Sequence, residues 1–199
     1  MAFKMFFLIL CLFLQFSQAS AKQKLFLTEK NTTQLKTVIH TESVFDTIEN
    51  LKKCVDETKQ VCYLLLDSPG GEVESGLELA QFIAEHKRIE LVLVRAYSMA
   101  AILAGIVPNK VHATNNAELM FHQVYVRLPT DLKITTALAK RIHAELIDIN
   151  KTITQKICKK TGMSAEYYER KIELDWYPTT KEAVQLKLVD DIVDTQITL

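Results

Sequence analysis

The sequence predicts an α/β fold built from βαβ units around a largely parallel sheet, with one long helix protruding from it. Three observations lead there. Short apolar runs, Cys62–Leu66 and Ile89–Val94, alternate with helical-period segments between residues 61 and 123, and such alternation implies crossovers between parallel strands. Each run feeds a turn that opens a helix, through Ser68-Pro69-Gly70-Gly71 in the first case and Ser98 in the second. Further on, Thr130–Lys160 contains neither Gly nor Pro and carries Ile134, Leu138, Ile142, Leu146, Ile149, Ile153 and Ile157 at steps of three and four. That is the period of one continuous amphipathic helix.

In chain order, Lys4 precedes the apolar run Met5–Phe16, and small residues follow at Ser17, Ala19, Ser20 and Ala21. A basic start, a short apolar run and small residues two apart read as a cleaved secretory signal over residues 1–21. The run is shorter than the ~20 apolar residues a spanning helix needs. One domain is expected over residues 22–199. Its polar beginning, Lys22–Lys36, has no sustained period and reads as loosely ordered. Thr37–His40 is a candidate short strand, and Glu42–Val55 an amphipathic helix capped by Thr41 or Ser43. After the strand at Cys62–Leu66 come a helix at Ser75–His86, the strand Ile89–Val94 and a helix at Met99–Ile106. Two strands, Lys110–Ala113 and Glu118–Phe121, flank a turn at Asn115-Asn116. The long helix over about 130–160 would reach on the order of 45 Å at ~1.5 Å per residue. A compact domain of this size cannot cover such a stripe, so it is expected to pack on a second copy of the chain. Helices at Ser164–Ile172 and Thr180–Leu186 and a strand at Leu188–Val193 complete the chain.

Composition excludes several classes. The 199 residues are 48% hydrophobic, enough for a sizeable core, and 24 Lys plus Arg balance 24 Asp plus Glu. No net field then favours nucleic acid or an anionic membrane. Without Cys11, the cysteines Cys54, Cys62 and Cys158 have no metal-ligand spacing, so neither a metal nor another cofactor is expected. Export would let Cys54 and Cys62 pair, with buried free thiols weighed slightly ahead.

Acyl transfer to a hydroxyl requires a base, a group that orients the base, and donors for the oxyanion. A lone serine at a helix start is ordinarily a plain cap, and a lone histidine an ordinary core residue. Here Gly70-Gly71, Ser98 and His122 each follow a predicted strand, and a parallel sheet gathers such turns at its carboxyl edge. Gly71, lacking a β-carbon, lets its N–H approach a substrate carbonyl. His40, His86, His112 and His143 fall in polar or helix-surface settings. For the orienting carboxylate, Asp175, between Leu174 and Trp176-Tyr177, competes with Asp190 and Asp191.

Four segments then carry a resemblance: Ser68-Pro69-Gly70-Gly71, Tyr97-Ser98-Met99-Ala100, Met120-Phe121-His122-Gln123, and Asp175 ahead of Glu182-Ala183-Val184. In this order they resemble the proteolytic subunit of the Clp protease, a serine peptidase of the ClpP/crotonase fold. The resemblance implies Ser98 as nucleophile, His122 as base and Asp175 as its orienter. It also implies Gly71 and Met99 N–H groups as the oxyanion hole, with Gly70 beside the substrate, and the long helix as the handle through which subunit rings stack. Peptides or unfolded chains are the implied substrate. Three departures stand out. Val124 follows His-Gln in place of proline, Tyr125-Val126-Arg127-Leu128-Pro129 replaces a glycine-rich stretch, and Leu174 replaces an arginine. No recognisable axial loop for an ATPase precedes the core, so an exported, ATP-independent peptidase is expected. The competing readings are a Ser/Lys peptidase of the same fold using Lys133 or Lys140, a catalytically silent assembly subunit, and a coenzyme A-dependent crotonase-type enzyme.

Overall fold

The computed structural model describes residues 23–198, so the predicted secretory segment lies outside the described residues. Six strands form one sheet in the order β1-β6-β5-β4-β3-β2, and every pairing is parallel. The strands are β1 (Lys24–Thr28), β2 (Thr32–Leu35), β3 (Cys62–Ser68), β4 (Ile89–Tyr97), β5 (Val111–Met120) and β6 (Asp191–Thr198). The helices are α1 (Thr41–Glu57), α2 (Val73–Glu85), α3 (Met99–Ile106), α4 (Thr136–Thr161), α5 (Ala165–Lys171) and α6 (Thr180–Gln185). This is the predicted α/β class, with βαβ crossovers through α1, α2 and α3.

The central strands are apolar because both faces are covered. Leu64 and Leu66 in β3, Leu91 and Leu93 in β4, and Val111 and Ala113 in β5 join the main core with α2 and α3. On the opposite face, Leu65 and Val92 pack with Leu25, Leu27 and Val193 in a smaller core. That second core explains a correction. The expected loose segment at Lys22–Lys36 instead forms β1 and β2, the two edges of the sheet. Leu25 and Leu27 alternate inward along β1, and Asn31 closes the turn after it by accepting the Thr28 N–H at 2.8 Å.

Other boundaries shift for identifiable reasons. Thr37–His40 is no strand; only Ile39 bridges, to Gly71. Helix α1 is capped by His40 rather than Thr41 or Ser43, because His40 Nδ1 accepts the Ser43 N–H and Ser43 Oγ accepts the His40 N–H. The two strands expected around Asn115-Asn116 are one strand, β5. It pairs with β4 at Val111–Ala113, bulges, and resumes at Glu118–Met120. Meanwhile His112–Thr114 pair with β6. The last strand begins later than expected and runs on to Thr198 because β1 gives its outer residues a partner.

The long helix starts at Thr136, capped by the Thr135 hydroxyl, and ends at Gly162 in a left-handed conformation. It is 26 residues long rather than the roughly 30 expected. Only its last turns are buried, at Ile153, Thr154, Ile157 and Thr161. Ile147 within it and Ile134 just ahead of it are more than half exposed, so the first half of the helix leaves the domain as a handle. Cys54 and Cys62 form a disulfide with their Cα atoms 6.0 Å apart, against the weighting toward free thiols. Cys158 is a free thiol. No described helix is long and apolar enough to cross a membrane.

Candidate active site

The carboxyl edge of the sheet carries a cleft of about 600 Å³ whose lining includes Gly70, Gly71, Ser98, Met99 and His122. Ser98 joins β4 to α3 as the helix N-cap with φ +54°, a region that residues other than glycine seldom occupy. Such a turn holds its side chain out from a sheet edge, in a backbone conformation that costs about 1–3 kcal/mol to maintain. The Ser98 N–H donates to the Met120 carbonyl at 2.8 Å, tying the turn to the neighbouring strand. Ser98 is half-buried, and its hydroxyl has no hydrogen-bond partner among the described residues.

The glycine turn is fitted against this serine. A β-carbon on Gly70 would lie 2.5 Å from the Tyr97 carbonyl oxygen and 2.8 Å from both the Met99 nitrogen and Ser98 Cβ. One on Gly71 would lie 2.1 Å from the Ile39 carbonyl oxygen. Gly71 thus lacks a side chain because the Ile39 backbone crosses it; the openness toward a substrate expected there is not the constraint. Ser68, fully buried, holds the turn from below: its hydroxyl donates to the Thr37 carbonyl and accepts the Gly70 N–H. Ile39 donates to the Gly70 carbonyl and accepts from Glu72, which leaves the Gly71 N–H unused. Gly71 and Met99 are therefore two backbone donors without an acceptor among the described residues. Both line the cleft with Ser98, and the Met99 N–H also sits at the positive end of α3.

His122 stands two residues past the end of β5, after the bridging Phe121. Its Nδ1 lies 2.5 Å from the Gln123 carbonyl. A carbonyl only accepts, so Nδ1 carries a hydrogen, and Nε2 makes no hydrogen bond among the described residues. The ring also lies against Tyr125, centroids 5.3 Å apart, and the segment beyond is held by Asn150 of the handle, which accepts the Val124 N–H at 2.9 Å.

The third expected member is adjacent in the backbone and apart in its side chain. Phe121 and Trp176 exchange two backbone hydrogen bonds, at 2.9 and 2.8 Å. In an antiparallel pair the next position then sets His122 opposite Asp175. Asp175 itself is exposed and makes no hydrogen bond or ion pair among the described residues. Neither a Ser98–His122 nor a His122–Asp175 hydrogen bond is formed in this conformation, so the Gln123 carbonyl holds Nδ1 instead. The two rival acids serve elsewhere. Asp190 accepts the Val111 N–H at 2.7 Å, and Asp191 binds His112 and Lys110, all at the far end of β5 from His122. Lys133 and Lys140 are exposed and do not line the cleft.

The profile of the Clp protease family matches residues 15–196. The chain belongs to the Clp protease family. Its all-parallel sheet with flanking helices agrees with the ClpP-like fold, and the membership supports a serine peptidase.

For a Clp-family chain, the cleft holds side chains that sequence reasoning passed over. His40, expected in a polar or helix-surface setting, lines the cleft because the Ile39–Gly71 bridge brings it there. The same setting is expected for His112. It is instead fully buried, its two ring nitrogens 2.5 Å from Asp191 and 2.6 Å from Glu90. Tyr125 and Arg127, noted only as departures from a glycine-rich stretch, also line the cleft. Ser68 could have been suspected from its place before Pro-Gly-Gly. The others depend on contacts between distant segments.

Proposed function

We propose that this chain is an exported serine endopeptidase that cleaves peptides or unfolded chains with Ser98, His122 and Asp175. One observation carries the reading: a strained Ser98 turn, two unused backbone N–H groups and a histidine whose Nε2 is unengaged line a single cleft. The Ser98 hydroxyl gives its proton to His122 Nε2 as Oγ attacks the substrate carbonyl carbon. The resulting oxyanion accepts from the Gly71 and Met99 N–H groups. His122 then returns the proton to the leaving amine, and a water repeats the sequence on the acyl-enzyme. Asp175 turns toward Nδ1 as the cleft closes on substrate, since catalytic hydrogen bonds commonly tighten only in the complex.

The reaction needs no cofactor. Export is supported by the secretory pattern of residues 1–21 and by the Cys54–Cys62 disulfide, which persists in oxidising compartments. Operation without an ATPase partner follows from export. Assembly into a homo-oligomer through α4 is supported by its unpartnered half, with Ile147 exposed.

The test is a fluorophosphonate probe with a fluorogenic peptide. Wild-type protein should label on Ser98 and turn over peptide. Ser98→Ala should do neither, and His122→Ala should lose nearly as much turnover, because triad members act as a unit. Activity retained in Ser98→Ala, or lost in Lys133→Ala or Lys140→Ala with His122→Ala intact, would refute it. The mature chain should begin near Ser20 or Lys22 on N-terminal sequencing.

A further inference from the structure

The cleft that holds Ser98 and His122 also holds a guanidinium with no counter-ion. Arg127 lines it, and no carboxylate among the described residues lies within ion-pair distance of Arg127. Its contacts are with Tyr125: the guanidinium carbon stands 5.6 Å from the ring centroid, and one N–H donates to the phenol oxygen at 3.3 Å. Tyr125 lies in turn against the His122 ring. Base, phenol and guanidinium thus form a short stack, and most of the five donors of the arginine fork are left unused.

The acid that could neutralise this fork within the cleft does not. Glu72 lines the same cleft, but its carboxylate accepts the Ser75 hydroxyl at 2.8 Å and does not pair with Arg127. Apolar side chains, Val38, Ile102, Met120 and Val124, supply much of the remaining wall. A peptide in such a cleft would bury apolar side chains and could present one anionic group to the fork. The stack, with steps of 5.3 and 5.6 Å, places that group on the His122 side of the cleft.

We propose that Arg127 docks a substrate carboxylate, on an acidic side chain or at the chain terminus, in the cleft that also holds Ser98. The proposal rests on the peptidase reading of this cleft for what the carboxylate belongs to. Tyr125 holds the fork in place, so the ordering cost of engaging it falls. Because Arg127 is exposed, solvent screens the pair, and the preference it confers is about fivefold rather than a thousandfold.

The experiment measures affinity on the full mature chain carrying Ser98→Ala, so that binding is read without turnover. Fluorescein-labelled apolar hexapeptide amides carry a single Glu or Gln scanned along the chain, and a neutral hexapeptide is compared as free acid and as amide. The expected result is about fivefold tighter binding of one Glu peptide over its Gln partner, or of the free acid over the amide. The first identifies an acidic side chain and the second a chain terminus. The ratio should fall to about one in Ser98→Ala/Arg127→Gln, stay above one in Ser98→Ala/Arg127→Lys, and shrink with added salt. Equal binding of all pairs, or a ratio that survives Arg127→Gln, overturns the proposal. Fluorophosphonate labelling of the protein with Ser98 intact reports separately on the peptidase reading: its failure alone would leave the affinity ratio standing.

Discussion

Phe121 and Trp176 exchange both backbone hydrogen bonds, and their rings lie 5.4 Å apart over the buried Tyr168. This single bridge carries the residue after β5 and the loop after α5 to the same place. It sets the spacing between His122 and Asp175 although neither side chain takes part in it. Trp176→Ala should therefore cost about 3–5 kcal/mol in urea unfolding, as large aromatic deletions do. It should also lower turnover at temperatures where the variant remains folded. Full turnover at unchanged stability would show that the bridge does not position the site.

Gly70 is the tightest constraint on the nucleophile turn. With φ +89° and three heavy atoms of residues 97–99 within 2.8 Å of where a β-carbon would stand, Gly70→Ala must push Ser98 and Met99 aside. Two of those atoms belong to the backbone, which gives way least. Peptide turnover and fluorophosphonate labelling should both fall by at least about a hundredfold, since small displacements of reacting groups cost that much. Unchanged labelling would mean that the turn is softer than its contacts imply.

His112 bridges Glu90 of β4 and Asp191 of β6 from inside the fold. His112→Ala leaves two carboxylates near one another without the donor between them. Loss of one partner from a buried polar set costs about 3–5 kcal/mol, discounted here to about 2–4 because both acids reach solvent. A part of that loss should return in His112→Ala/Glu90→Gln, where one of the charges is gone. Equal stability of the single and double variants would remove the electrostatic explanation.

Lys160 of the handle donates to the Ala104 carbonyl of α3 at 2.8 Å. Burial lowers its ammonium from 10.5 to about 8, against the opposing pull of Asp190. A lysine depressed in the folded state binds its proton more readily when the chain unfolds. Its contribution to stability therefore rises as pH climbs from about 8 toward 10.5. Below that window the charged form is a standing penalty. Lys160→Met should be more stable than wild type at pH 7, by roughly 1–3 kcal/mol after allowance for the part of the side chain that water reaches. The gap should close as pH approaches 10.5, and a gap independent of pH would refute the assignment.

Much of the candidate site's placement was legible from the chain alone. Gly70-Gly71, Ser98 and His122 each stand at the end of an apolar run, and a parallel sheet brings the carboxyl ends of its strands to one edge whatever their order. Helix α3 could be read to the residue, because Ser98 before Met99–Ile106 is a local signal and Val107-Pro108 ends it locally. The handle was legible too, since its apolar period outruns what one domain can bury.

The tertiary structure decided what depends on which strands become neighbours. β1 and β2 look like polar tail until β6 and β3 give each a partner and Leu25 and Leu27 a second core to enter. Glu90, His112 and Asp191 sit on three different strands, and their meeting follows from the order β6-β5-β4. His40 reaches the cleft only because Ile39 bridges Gly71, and Asp175 comes opposite His122 only through the Phe121–Trp176 pair. Local periodicity reports which face of an element is apolar. Register and strand order are set by burial summed over the whole sheet, and no short stretch of sequence contains that sum.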